Sequence, residues 1–188
     1  NAGGRDAYIA KFDNSQTNLF FATYFGGNSN ETLRVSFAGQ SNIYLCGETY
    51  STNLPLTNAI QTSLLGPQDM YIAKLDASGT NLLFSTYLGG SSNDSGLFIR
   101  HDQTHNLYIM GESQSTDFPL LYPLQGTNAG SNDFIIAKFD DRTMPPRLVY
   151  STYLGTIGDQ FGFGLDFRDT GDIWIYGSSS NDSYPVTT

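Results

Sequence analysis

Three acidic residues recur in equivalent loops and are the first candidates for chemistry. Glu31, Asp94 and Asp159 each follow a strand-ending glycine by four or five residues. Carboxylates in loops rich in Gly and Asn could bind Ca²⁺, which takes about six to eight oxygen ligands. The segments NSNET, SSNDS and TIGDQ lack the alternate-position spacing of dedicated calcium loops, so we favour turn capping by Asp and Asn side chains. The sequence predicts no metal site at these loops.

The common catalytic signatures are absent from the sequence. It contains no G-x-S-x-G, H-E-x-x-H, Walker A or complete G-x-G-x-x-G segment. His101 and His105 are its only histidines, and we expect His101 at the end of a strand and His105 in the following turn, which disfavours a metal-binding pair. We therefore expect neither an enzyme nor a cofactor. One alternative stays open, because the paired carboxylates of a glycoside hydrolase can converge from distant loops.

Two kinds of polar residue recur in every copy of an internal repeat. We expect the lysine stems to pack over apolar faces while their ammonium groups reach solvent or a carboxylate. We expect the threonine hydroxyls to make buried hydrogen bonds between neighbouring sheets, at positions that suit strand propensity. These residues are Lys11, Lys74 and Lys138, and Thr23, Thr86 and Thr152.

The repeat unit itself must position these residues. DAYIAKFD at Asp6 returns as DMYIAKLD at Asp69 and as DFIIAKFD at Asp133, in steps of 63 and 64 residues. Each unit contains four short strand candidates bounded by turn residues. The strand candidate beginning at Ile43 is apolar on both faces, so a sheet must cover each side. The sequence predicts an all-β protein with about three repeats of 63–66 residues, and four-stranded antiparallel sheets stacked around an axis form a β-propeller.

Composition and charge exclude several classes of partner. Nine basic and eighteen acidic residues give a net charge of −9, which disfavours nucleic acid and anionic membranes. The single cysteine, Cys46, excludes an internal disulfide framework and a Cys-rich zinc site. No apolar run approaches the roughly 20 residues of a membrane span. Asn1 to Arg5 do not form a signal peptide, and we interpret the chain as a mature or excised piece.

The repeat also resembles a known family. The recurring pattern D-A-Y-I-A-K-F-D, S-T-Y-L-G-G, N-x-Y-x-x-G-E-[ST] and S-T-D-F-P resembles the bacterial SBBP family, the seven-bladed β-propeller repeat, in all three copies. The resemblance implies a propeller within modular, secreted or surface-attached bacterial proteins. It supplies no catalytic residue.

Analogy with related propeller repeats makes the LRVSF-type strand the innermost one of each blade. About 4 to 8 blades close a propeller, so three repeat units leave the ring incomplete. We expect another copy of the chain, or further repeats of a longer chain, to complete the ring or to extend it into a filament. The predicted organisation is a single repeat domain over 1–188, with repeat units 6–68, 69–132 and 133–188, blades 33–90 and 97–155, and half-blades 6–27 and 163–179.

The innermost strands are where the three copies differ most. Aligning Val35, Ile99 and Leu165 as residues that face a blade places their neighbours toward the axis. Ligand sites often lie where repeats converge on a concave surface. A water-filled channel lined by unselected polar groups is the alternative. The candidate ligand-binding residues facing this channel are Arg34, Ser36, Phe98, Arg100 and Asp166, alongside Gly164.

Two long connections, 51–68 and 115–132, are a second candidate surface for partners. Both are well above the usual loop length of about 4 to 6 residues. Both follow the same strand of the repeat, so we expect them to project from the same side of the molecule.

These observations predict a non-catalytic β-propeller module at the cell surface or outside the cell, acting in recognition, adhesion, assembly or domain spacing. Acidic loop positions repeat almost unchanged, whereas a propeller enzyme needs acid and base residues that diverge between repeats. The expected partners are another copy, further repeats, a glycan or a surface protein, without nucleic acid or membrane insertion. The alternative is a propeller enzyme or lectin acting on an extracellular polysaccharide.

Overall fold

The computed structural model describes residues 2–38, 42–102, 104–158, 160–167 and 172–180. These residues form twelve β-strands, and no helix that could cross a membrane occurs among them. The prediction of an all-β protein is confirmed. The strands are β1 (Ala7–Phe12), β2 (Leu19–Phe25), β3 (Glu31–Ala38), β4 (Asn42–Thr49), β5 (Asp69–Asp76), β6 (Leu82–Leu88), β7 (Asp94–His101), β8 (Asn106–Ser113), β9 (Asp133–Asp140), β10 (Arg147–Leu154), β11 (Gln160–Phe167) and β12 (Ile173–Ser179).

The strands form four antiparallel sheets. β3, β4, β5 and β6 make one four-stranded sheet in that order, and β7, β8, β9 and β10 make another. β1 pairs with β2, and β11 pairs with β12, in two sheets of two strands. The four-stranded sheets span 31–88 and 94–154. Among the described residues the sheets do not close into a ring.

Strand β4 explains why the sheets stack face to face. Ile43 and Leu45 contribute to the apolar cluster on one side of their sheet, whereas Tyr44 and Cys46 contribute to the cluster on the other side. Successive side chains of a strand point to opposite faces, so a strand that is apolar throughout must be covered twice. This pattern requires a neighbouring sheet on both sides.

Three apolar clusters fill the spaces between consecutive sheets. Phe25 of β2 packs with Tyr71 of β5 in the first space. In the second, side chains of the 31–88 sheet meet Ile99 of β7. In the third, Met110 of β8 packs with Ile175 of β12. The four sheets therefore lie one behind the other in chain order, and the core consists of the layers between them.

Strands β3, β7 and β11 each contain one residue that has no opposite residue on the partner strand. Register shifts lie between Leu33 and Val35 in β3 and between Gly96 and Phe98 in β7, as expected of a β-bulge. Arg34 is therefore equivalent to Leu97, and Val35 is equivalent to Phe98. The alignment used to predict the channel-facing residues is offset by one residue in the first copy, because Val35 and its partner Cys46 are 11 positions apart, whereas Phe98 and its partner Met110 are 12 positions apart.

Candidate functional site

The inner-strand candidates lie on three different sheets. Arg34 and Ser36 are on β3, Phe98 and Arg100 are on β7, and Asp166 is on β11. The side chain of Ser36 is outside the described part of the structure. Asp166 is exposed and lies opposite Trp174 in the register of β11 with β12.

Arg34 is held by a carboxylate at the end of β4. Its Nη2 donates to Glu48 Oε1 at 2.9 Å, and Thr32 Oγ1 donates to the same oxygen at 2.8 Å. The other oxygen, Glu48 Oε2, accepts from Gln68 Nε2 at 3.0 Å and from Ser95 Oγ at 2.7 Å. Ser95 belongs to the next sheet, so Glu48 joins two sheets.

This hydrogen-bond network keeps Glu48 ionised. Burial raises the pKa of the Glu48 carboxyl, but the hydrogen bonds from Ser95 and Thr32 and the positive charge of Arg34 outweigh it, so the pKa lies below its ordinary value. Arg34 thus serves as a structural counter-ion while about half of its side chain stays exposed.

The β7 candidates make local contacts as well. Phe98 packs against the cluster of Tyr108 and Met110, which Ile175 also contacts, and so it lies between two sheets instead of facing an open channel. Arg100 Nη1 donates to the carbonyl oxygen of Ile99 at 3.0 Å. In a stack of sheets, successive side chains of a strand point alternately to the two neighbouring sheets.

The connection between β4 and β5 lies along the outer strand of its own sheet. Thr57 forms an isolated bridge with Ser85, and Gln61 forms one with Tyr87. Leu54 N donates to Tyr87 Oη at 2.9 Å, and Tyr87 Oη donates to the carbonyl of Ser51 at 2.8 Å. The loop covers the free edge of β6, which protects a sheet from pairing with other chains.

The connection between β8 and β9 repeats this arrangement. Leu121 bridges Ser151, and Gln125 bridges Tyr153 on β10. Tyr153 Oη donates to the carbonyl of Ser115 at 2.7 Å. The two long connections are therefore ordered, and each covers the same edge of its own sheet.

Acidic residues lie in pairs beside glycines at the ends of the sheets, which sequence reasoning missed. Asp69 and Asp94 are both fully buried. Both carboxylates lie beside Gly89, where an added Cβ atom would be 2.7 Å from Asp94 Oδ2 and 2.9 Å from Asp69 Oδ1. Asp6 and Glu31 lie in the same way beside Gly26. The separation of 25 residues within both pairs is the signal that could have revealed them.

Each member of the Asp69 and Asp94 pair also closes a turn. Asp69 Oδ2 accepts from Gln61 Nε2 at 2.7 Å and from Leu65 N at 3.1 Å. Asp94 Oδ2 accepts from Gly90 N at 2.7 Å and from Ser115 Oγ at 2.8 Å. The turn-capping role predicted for the loop acids thus agrees with the contacts of Asp94.

Burial dominates the acid strength of this pair. It raises the pKa of Asp94 to about 6, because the hydrogen bonds from Ser113, Gly90 and Ser115 only partly offset desolvation, and the charge of Asp69 adds to the rise. Burial also raises the pKa of Asp69.

The third pair replaces one acid by an amide. Gln160 occupies the position of Asp94, whereas Asp159, the residue chosen from the sequence, lies outside the described residues. In the orientation of the Gln160 amide that satisfies both its oxygen and its nitrogen, Nε2 donates to Asp133 Oδ1 at 2.9 Å. The Gln160 amide thus donates to the neighbouring carboxylate, which an ionised carboxylate at the same position cannot do.

A charged cluster connects the two four-stranded sheets. Lys74 Nζ donates to both oxygens of Asp141 at 2.9 Å, and Tyr44 Oη donates to Asp141 Oδ2 at 2.6 Å. The His101 ring stacks on Tyr44 with centroids 5.4 Å apart, and it meets His105 edge-on. Lys74 therefore contacts a carboxylate of the neighbouring sheet, which is one of the two environments that we expected for the lysine ammonium groups.

The repeated threonine makes its hydrogen bonds within one sheet and its loop. Thr86 Oγ1 accepts from Gln61 N at 2.8 Å and donates to the carbonyl of Tyr87 at 2.8 Å or of Gln61 at 3.1 Å. The prediction that this threonine makes a hydrogen bond between sheets is wrong at Thr86. Its hydroxyl bonds instead to the loop that covers the edge of the same sheet.

Across the described ranges, no group of three or more His, Cys, Asp or Glu residues is arranged to hold a metal ion. The chain matches no family model, and no curated protein matches it.

Proposed function

We propose that this chain is part of a β-propeller that acts as a non-catalytic scaffold or recognition module outside the cell or at its surface. Its blades would be the segments 33–90 and 97–155, and its repeat would be of the SBBP type. The function would be adhesion, assembly or the spacing of attached domains.

The stacking of the sheets supports the propeller. Two four-stranded antiparallel sheets and two sheets of two strands lie face to face in chain order. Repeated four-stranded sheets arranged radially are the propeller architecture. The inner strands β3 and β7 would surround the axis, with loops along the outer strands.

The burial and the hydrogen bonds of the acidic residues are the main support for a non-catalytic role. A glycosidase needs two carboxyl groups that reach the substrate from opposite sides. Asp69, Asp94 and Asp133 are each fully buried and accept hydrogen bonds from loop backbone or side-chain groups. The pattern recurs from sheet to sheet, as expected of groups that close turns in a scaffold.

A binding experiment tests this function. The purified chain is passed over immobilised extracellular polysaccharides, and both retained protein and released reducing ends are measured. We expect retention without release of sugar. Sustained release that is abolished by Asp94→Asn would overturn the proposal and favour a polysaccharide-degrading propeller. Absence of retention on polysaccharides and on surface proteins would overturn the recognition role.

The inner-strand residues are tested in the same assay. Arg100→Ala and Asp166→Ala are compared with Arg142→Ala, an exposed arginine in the turn between β9 and β10. Weaker retention of the first two variants alone would assign the ligand to the inner strands. Equal retention of all three would remove these strands as the binding surface.

A further inference from the structure

The two half-sheets are complementary parts of one repeat. β1 and β2 correspond to β5 and β6, because the segment from Asp6 returns at Asp69. β11 and β12 correspond to β7 and β8. The chain therefore has the outer half of a sheet at one end of the stack and the inner half at the other.

The outer half-sheet exposes a face that is buried elsewhere in the same chain. Tyr8 and Tyr24 lie opposite each other on β1 and β2, as Tyr71 and Tyr87 do on β5 and β6. Tyr71 and Tyr87 are 0% exposed, whereas Tyr8 is 70% and Tyr24 is 63% exposed. In the complete sheet Tyr71 and Tyr87 belong to the apolar cluster that includes Phe25 of the preceding half-sheet, whereas no sheet of the described residues lies in front of β1 and β2.

The inner half-sheet offers a cavity at the other end of the stack. Its volume is about 320 Å³, and Phe134 and Leu154 line it together with residues Ile175 to Ser179 of β12. The cavity lies where an outer half-sheet would continue from β12. Among the described residues, β12 pairs only with β11 and β1 pairs only with β2.

The interior of the chain shows what fits this cavity. The Tyr71 ring packs on Phe25 with centroids 5.2 Å apart, and Tyr71 lies opposite Gly47 in the register of β4 with β5. Leu154 stands at the position of Phe25, and Gly177 stands at the position of Gly47. A tyrosine at the position of Tyr71 would therefore meet a leucine and a glycine in the cavity.

We propose that β1 of a second copy of this chain pairs antiparallel with β12, so that Tyr8 of the second copy fills the cavity beside Leu154. The register follows from β4 with β5 and from β8 with β9. Tyr8 then lies opposite Gly177, and Ala7 lies opposite Ser178. Backbone hydrogen bonds along this edge would complete a four-stranded sheet, which is the usual way in which an unpaired edge recruits a strand.

A cation–π pair follows from the same register. Lys74 lies opposite Tyr44 with its Nζ 5.4 Å from the ring centroid, and Lys138 lies opposite Tyr108 at 5.1 Å. Lys11 of the second copy would lie opposite Trp174. Tryptophan is the best aromatic partner for a lysine, so this contact favours the proposed register.

The number of sheets limits the size of the assembly. Each chain contributes two complete sheets and, with its neighbour, one shared sheet. Propellers have about 4 to 8 blades, so two chains with six sheets close a ring, whereas three chains exceed that range. This closure rests on the propeller proposed above. The contact between β12 and β1 is heterologous, because each chain contributes β12 to one contact and β1 to the other.

The mass of the purified chain in solution is the first test. One chain has a mass of 20.6 kDa, so light scattering should give about 41 kDa for the closed dimer. Tyr8→Asp should raise the dissociation constant of the dimer at least tenfold, because a carboxylate would enter an apolar cavity. Tyr122→Asp is the control, since Tyr122 is equally exposed but lies in the loop over β10.

Crosslinking tests the register independently of affinity. Oxidation of an equimolar mixture of Ala7→Cys and Ser178→Cys chains should give a disulfide-linked pair, because directly opposite residues have a suitable Cα distance. Ala10→Cys mixed with Ser178→Cys is the out-of-register control. The native Cys46 is fully buried and should not contribute.

The outcomes separate this proposal from the function it extends. A monomer at all concentrations, without the Ala7 to Ser178 crosslink, would overturn it and assign both edges to sheets from outside this chain. A monomer that still binds polysaccharide without cleaving it would leave the proposed function intact. A ladder of larger species abolished by Tyr8→Asp would support the contact and overturn the closed ring.

Discussion

Lys74 and Asp141 form a buried ion pair across the boundary between the two four-stranded sheets, with Lys74 Nζ 2.9 Å from each carboxylate oxygen. The Lys74 side chain is 8% exposed and the Asp141 side chain is 4% exposed. Removing one member of such a pair leaves an uncompensated buried charge.

Asp141→Asn should therefore lower the free energy of unfolding by about 3 kcal/mol, measured by urea denaturation. Tyr44 Oη would keep an acceptor in the amide oxygen, so the loss comes mainly from the stranded ammonium group. Arg142→Ala, which removes an exposed arginine from its ion pair with Asp140, should cost much less, because solvent screens the Arg142 charge and Arg147 still lies 3.7 Å from Asp140. Equal losses in the two variants would contradict the inter-sheet role of Lys74.

The raised pKa of Asp94 predicts that stability depends on pH. The folded protein binds the Asp94 proton with a pKa of about 6, above the ordinary value of 3.8. A raised carboxyl pKa contributes stability below pH 4, and that contribution is lost as the pH rises through about 6. The free energy of unfolding should fall by about 3 kcal/mol between pH 4 and pH 7.5. Thermal unfolding at a series of pH values measures this change.

Asp94→Asn should flatten this pH profile and raise the melting temperature above pH 7. The amide can donate toward Asp69 as Gln160 donates to Asp133, while its oxygen accepts from Gly90. Asp76→Asn is the control with the opposite sign, because hydrogen bonds from Ser78 and Asn81 lower the pKa of Asp76 to about 2. The wild-type protein should have a higher free energy of unfolding than Asp76→Asn at pH 4 and above. This difference should disappear as the pH falls from 4 toward 2.

Tyr87→Phe should loosen the loop over β6. Tyr87 Oη is held between Leu54 N and the carbonyl of Ser51, and its removal leaves two buried backbone groups without that partner. We expect a loss of about 1 to 3 kcal/mol and faster proteolysis within residues 51–68. Tyr24→Phe is the matched control at the equivalent exposed position, and a comparable loss there would contradict the assignment.

Gly47→Ala tests the close approach of β3 and β4 at the bulge. A Cβ atom on Gly47 would overlap the carbonyl oxygen of Thr32, so the two strands would have to separate. We expect a loss of about 3 kcal/mol or more in denaturant unfolding. Gly126→Ala, where the nearest atom to an added Cβ is 3.9 Å away, should leave stability nearly unchanged, and a similar loss there would refute the steric explanation.

Local patterns in the sequence were sufficient to predict the strands and their class. The segments beginning at Asp6, Asp69 and Asp133 each became one strand, because alternating side chains and flanking turn residues act over a few residues only. The apolar strand at Ile43 predicted sheets on both sides for the same reason. The tyrosines of the repeat could be aligned from spacing alone, but their burial could not.

Only the tertiary structure decided which side chains meet. Asp94 joins Asp69, and Asp141 joins Lys74, through contacts between segments far apart in sequence, and no local pattern encodes such pairs. Arg34 has no opposite residue because the bulge inserts a residue that periodicity does not detect. Identical tyrosines at positions 8 and 71 differ in exposure because, within the described part of the chain, a sheet lies in front of Tyr71 and none lies in front of Tyr8.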